Sequence, residues 1–115
     1  MEIDFREMDH GIGLIQLTGR LDIGGTSQIE TKFAGYCSGD KALVVVDMSG
    51  VDFLASIGIR LLVLTAKSVS KRGGKMALLA PVDEVRQVLE ITGIHSIIPV
   101  YSRLESAQAV LLAEG

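Results

Sequence analysis

An α/β domain with a mixed sheet, in the order ββαβαβαβα, is what three features of the sequence predict. Two continuous apolar runs, ALVVVDM (residues 42–48) and KMALLA (residues 75–80), have the character of strands covered on both faces. The stretch between them, residues 56–71, has a helical rather than an alternating period. The N-terminal segment alternates apolar and polar residues on either side of Asp9-His10-Gly11, as a β-hairpin does. Strands separated by helices call for parallel pairing, so the sheet is expected to start antiparallel and continue parallel.

The elements follow in order. Ile3 to Met8 and Ile12 to Leu17 form the hairpin. Gly24-Gly25 and Thr26 then punctuate the chain, and Ile29, Phe33 and Tyr36 or Cys37 recur at helical spacing until Gly39. The ALVVVDM strand belongs at the centre of the sheet. The helix from Ser56 to about Lys71 ends at Gly73-Gly74, and KMALLA closes at Pro81. Asp83 to Ile91 is a short helix with Asp83 as its cap and Gly93 as its stop. SIIPV is a short strand whose Pro99 assigns it to an edge. Ser102 to Ala113 opens with a capping-box pattern, Ser-Arg-Leu-Glu, and carries Leu104, Ala107, Val110 and Leu111 on one side.

At 115 residues the chain has the length of one domain, spanning 1–115, and its 48% apolar content with 4% aromatics and no Trp describes an aliphatic core. A net charge of −3 with scattered Lys and Arg supplies no field for a phosphate backbone, which argues against nucleic acid. The single cysteine, Cys37, allows no internal disulfide or CxxC motif and fits a reducing cytoplasm. No run reaches the ~18 apolar residues of a membrane span, and the acidic N-terminus is unlike a signal peptide.

Ser56 stands where the strand exit meets the helix. On a wheel of 100° per residue, Ser56, Arg60, Lys67 and Lys71 share a face flanked by Val63 and Leu64, while Gly58, Leu62, Thr65 and Val69 point away. The hydroxyl can serve as a helix cap or accept a phosphate, which the free amides of the first turn would favour. A phosphate there adds charge to an outward surface whose apolar residues suit docking. Asp22 and Asp47 follow strands, where acids cap turns or bind ligands; Asp22 reads as a turn cap, and Asp47 is expected to shape the Ser56 loop.

The combination of LTGRLD, VVVDMSGVDFLASIGIRLL, GGKMALLAP and VRQVLEITGI resembles the STAS domain of anti-sigma factor antagonists over nearly the whole chain. In that family a strand ends in Asp, followed by a short loop and a phosphorylatable Ser in the pattern D-S-[ST]-G-[LI]. Asp47, Ser56 and Gly58 fall on matching positions. Ala55 replaces the frequent Asp and Ile57 the second hydroxyl. The resemblance implies a bacterial partner-switching regulator of transcription: unphosphorylated, it binds an anti-sigma factor that is also a serine kinase of the histidine-kinase-like ATPase fold, releasing a sigma factor. A PP2C-type phosphatase would reset Ser56. The partner surface would include Ser56, Arg60, Val63, Leu64 and Lys67. Single STAS-like domains also occur as non-switching subunits of stress-signalling assemblies and lipid-transport complexes.

An enzyme is not expected. The nucleophile elbow is G-x-S-x-G, whereas this chain reads Leu54-Ala55-Ser56-Ile57-Gly58, without the first glycine. Gly73-Gly74-Lys75 lacks the rest of a phosphate-binding loop. His10 and His95 have no second ligand at metal spacing and read as solvated, so neither metal nor cofactor is expected. Cys37, Met48 and Met76 read as core.

Overall fold

The computed structural model describes residues 1–113. Strands β1 (Glu2–Glu7) and β2 (Ile12–Leu21) pair antiparallel, joined by a turn in which His10 and Gly11 adopt φ of 65° and 74°. Helix α1 (Ile23–Tyr36) leads to β3 (Leu43–Leu54), α2 (Ser56–Lys71) to β4 (Lys75–Leu79), and α3 (Asp83–Ile91) to the edge strand β5 (Val100–Tyr101). Helix α4 (Leu104–Leu112) completes the order. The sheet runs β1-β2-β3-β4-β5, parallel from β2 onward, with β3 at its centre.

Side-chain alternation divides the core between the two faces of the sheet. Ile15, Leu17, Val44, Val46, Met48 and Leu78 meet Ile29 and Phe33 of α1, Leu62 and Val69 of α2, and Val85 and Leu89 of α3. On the other face Ile12, Leu14, Val45, Ala77 and Leu79 meet Leu104, Ala107 and Leu111 of α4. Three helices therefore cover one face and one covers the other. None of the helices is long and apolar enough to cross a membrane among the described residues.

Several boundaries differ from the sequence reading. β2 and β3 both run well past Leu17 and Met48, pairing as far as Leu21 with Leu54 across two register shifts. Ser49-Gly50-Val51-Asp52 looks like a loop by composition, yet its neighbour β2 continues beside it and keeps the ladder occupied. Gly24 and Gly25 lie inside the first turn of α1 rather than before it; a Cβ on Gly25 would overlap the Arg20 carbonyl oxygen, so glycine lets the helix start against β2. Asp83 is the first residue of α3, and Val82 occupies the cap position without a side-chain bond. The capping box at Ser102 does not form, because Arg103 is the N-cap of α4. Residues 94–96 make a 3-10 turn, which shortens the expected SIIPV strand to Val100–Tyr101.

Candidate functional site

Because β2 and β3 are adjacent and parallel, the helices that follow them begin at the same end of the sheet, beyond the C-termini of both strands. The Ala55 N–H donates to the Leu21 carbonyl at 3.0 Å, tying the end of one strand to the exit of the other. Gly58 lies against that junction: a Cβ there would come within 2.9 Å of Leu21 Cβ and 3.0 Å of Leu54 Cδ1. The first turn of α2 can sit this close to β2 only without a side chain at position 58.

Asp22 caps α1. Its Oδ1 accepts from the Gly25 N–H at 2.8 Å, and its Oδ2 lies 3.4 Å from Arg20 Nε. The Gly25 N–H, with a smaller contribution from Arg20, holds the Asp22 carboxyl below the usual aspartate value. Arg20 also stacks over Phe53, its guanidinium carbon 4.2 Å from the ring centroid. The turn-capping role expected of Asp22 is thus a helix cap.

Ser56 is not a cap. Ala55 has the extended cap conformation, and its carbonyl accepts the first helical bonds, from Gly58 N–H and Ile59 N–H at 3.0 and 3.1 Å. Ser56 is the first helical residue, exposed, with no capping bond from its side chain. The hydroxyl is free for other chemistry.

Between α1 and α2 runs a groove of about 490 Å³ lined by Thr26, Glu30, Ser56, Ile57, Arg60, Leu61 and Leu64. Thr26 Oγ1 is buried in its wall and has no hydrogen-bond partner. Arg60, Lys67 and Lys71 are exposed and Leu64 is 54% exposed, whereas Gly58, Leu62, Thr65 and Val69 are buried, as the wheel predicts. Val63 is a correction: it is half-buried and packs against the larger core cluster, on the flank of α2 opposite Leu64. Asp47 is a second correction. It lies within β3, opposite Gln16 and Leu79, and accepts from the Ser49 N–H at 2.9 Å. Seven further strand residues, roughly 20 Å of chain, separate it from the end of β3, so it does not shape the Ser56 junction.

The sequence reading missed the contribution of α1. Thr26 and Glu30, four residues apart, form one wall of the groove, and the helical spacing that gives them a common face was legible once α1 was extended to Ile23. It also missed the apolar rim: Ile23, Phe53 and Ile57 are 74%, 39% and 39% exposed around the same edge. Exposed apolar side chains interspersed with Arg20, Arg60 and Lys67 form a surface suited to a protein partner. Elsewhere, His10 and His95 are exposed, and burial pushes the Cys37 thiol up to about 12 against the opposing influence of Arg72.

A family model described as STAS domain matches residues 6–107. BtrV of Bordetella bronchiseptica, a candidate anti-sigma factor antagonist, is 30% identical over 109 residues, which cover 95% of this chain and 93% of that protein. The crystal structure of an anti-sigma factor antagonist from Mycobacterium paratuberculosis superposes with a TM-score of 0.86 at 23% identity, over 97% of this chain and 94% of the other. The anti-sigma factor antagonist SpoIIAA in its unphosphorylated form gives a TM-score of 0.78 at 20% identity, covering 99% and 100% of the two chains. Its phosphorylated form, from Bacillus, gives 0.70 at 19% identity, covering 95% and 99%. The solved structures share the fold.

Proposed function

The chain belongs to the STAS domain family, and from that premise we propose that it is an anti-sigma factor antagonist, a binding module switched by phosphorylation of Ser56. The observation that carries this reading is the placement of Ser56: an exposed hydroxyl, not used as a cap, on the rim of a groove edged by apolar side chains. The relatives named as anti-sigma factor antagonists support the partner class, and SpoIIAA, solved in both phosphorylation states, supports the switch.

In the unphosphorylated form, Ile57, Leu64 and neighbouring apolar groups would dock the anti-sigma factor, with Arg60 and Lys67 meeting its polar rim. A kinase activity in that partner, of the histidine-kinase-like ATPase fold, would transfer phosphate to Ser56. The added charge, roughly −1.5 to −2, is compatible with a helix N-terminus and leaves the fold intact. It is incompatible with a docked surface shaped around a neutral hydroxyl. The complex dissociates, and a PP2C-type phosphatase restores binding. The reaction is done to this chain in the cytoplasm, and the chain itself supplies no catalytic group or cofactor.

The test is binding of the Ser56 variants to the anti-sigma factor by calorimetry. Ser56→Ala is expected to bind within about threefold of the wild type and to unfold within about 0.5 kcal/mol of it, since no cap is lost. Ser56→Glu is expected to remain folded and bind at least about tenfold more weakly. Equal affinity of the two variants would leave Ser56 without a switching role.

A further inference from the structure

We propose that Arg60 is the intramolecular counter-ion of phosphorylated Ser56, so that phosphate both adds charge and withdraws Arg60 from the docking surface. The proposal rests on Ser56 being the phosphate acceptor. In that step the γ-phosphoryl group of ATP moves to Ser56 Oγ: the new O–P bond forms, the bond between the γ-phosphorus and the bridging oxygen breaks with ADP leaving, and the hydroxyl proton passes to a base of the kinase.

The geometry of α2 favours the pairing. Ser56 and Arg60 are four residues apart on one helix and line the same groove. Helical side chains lean toward the N-terminus, so the long Arg60 side chain is directed back over the turn that carries Ser56. Its planar guanidinium can donate two hydrogen bonds to one phosphoryl group. The described ion pairs are Arg20 with Asp22 and Arg103 with Glu105, and Arg60 takes part in neither. No existing bridge has to break first.

Other groups near the groove reinforce the choice. Glu30, on the α1 wall, repels a dianion and favours the α2 side, where Arg60 stands. Thr26 Oγ1 in the same wall is buried, so it offers no accessible donor to compete with Arg60 for the phosphate. Lys67 is seven residues beyond Arg60, about 10 Å along the helix, which is too far to share one phosphate closely with it. Arg20 is already engaged with Asp22 and Phe53. Among the described residues, Arg60 is therefore the unpaired cation of the groove whose position on the helix suits it to receive the phosphate.

The test uses the full chain with phosphoserine installed at position 56 by genetic encoding, which removes any dependence on a kinase. Phosphorus NMR would follow the second ionisation of the phosphate in the Arg60, Arg60→Lys and Arg60→Gln backgrounds. A nearby cation stabilises the dianion, so the midpoint is expected about half a pH unit lower with Arg60 than with Arg60→Gln, and Arg60→Lys should fall between them. Thermal unfolding of each protein, with and without phosphate, supplies a second readout. Phosphorylation should raise the midpoint by about 2–4 °C with Arg60 and by less than half of that with Arg60→Gln. Identical ionisation midpoints in the Arg60 and Arg60→Gln proteins would overturn the pairing. That result would leave the Ser56 switch standing, whereas failure of a cognate kinase to modify Ser56 would count against the switch and not against the pairing.

Discussion

At the two helix starts that form the site, Asp22 and Ser56 have opposite relations to the backbone. Asp22 accepts from the Gly25 N–H and is held below the usual aspartate value chiefly by that bond, whereas Ser56 leaves the amides of its own helix alone. A lowered carboxyl pKa stabilises the fold above the unfolded-state value, 3.8, and that contribution is lost as pH falls through the lower folded-state value. The unfolded chain takes up its proton first, so acid favours unfolding. Asp22→Ala is accordingly expected to lower the thermal midpoint at pH 7, with the gap to the wild type closing as pH drops below 3.8. Asp22→Asn keeps an acceptor for the Gly25 N–H and should lose less at pH 7, and its gap to the wild type should shrink over the same range, because the wild-type carboxylate is the group that titrates. Melting curves from pH 2 to 7 check both; a gap for Asp22→Ala that is constant with pH would show that the ionised carboxylate is not what stabilises α1.

Helix α2 has an inner face, an outer face and two unequal flanks. Leu64 lies on the flank facing α1 and remains 54% exposed across the groove, while Val63, one residue earlier, packs against the core on the other flank. Aspartate at these neighbouring positions should therefore act on different properties. Leu64→Asp is expected to change unfolding stability by less than about 0.5 kcal/mol while weakening partner binding by about 2 kcal/mol. Val63→Asp places a carboxylate against apolar neighbours and is expected to cost about 1–3 kcal/mol of stability. Urea unfolding beside a binding titration separates the two, and comparable stability losses would show that Leu64 is also core. The period of 56–71 was enough to separate Gly58, Leu62, Thr65 and Val69 from Arg60 and Lys67, because one buried stripe fixes the rotation of a helix. It could not rank Val63 against Leu64, since their exposure depends on what packs beside each flank. The cap at Ala55 and the long tail of β3 were hidden for a related reason: backbone carbonyls and the continuing β2 ladder decide them, and neither leaves a mark in side-chain type.

The whole molecule brings its site together through topology. Parallel β2 and β3 deliver α1 and α2 to one end of the sheet, and the groove takes Thr26 and Glu30 from one helix and Ser56, Arg60 and Leu64 from the other. The order of elements and the mixed sheet were legible because the hairpin alternates while residues 42–48 and 75–80 are apolar runs separated by a helical period. Ser56 was legible because the strand exit and the helix period meet there. The α1 wall was not, since its residues are some thirty positions earlier and carry no local motif. This arrangement also separates the switch from the core: Ser56 is exposed, while Val44, Val45 and Val46 are buried in the central strand and covered on both sheet faces. A charge placed on Ser56 should then change the surface without repacking the interior. Amide hydrogen exchange of Ser56→Glu against the wild type is expected to show equal protection over residues 43–48 and 75–79. Differences should be confined to the first two turns of α1 and α2, where the new carboxylate alters the field at the helix amides. Loss of protection in the central strands would mean that the signal travels through the fold, and the surface account of the switch would have to be abandoned.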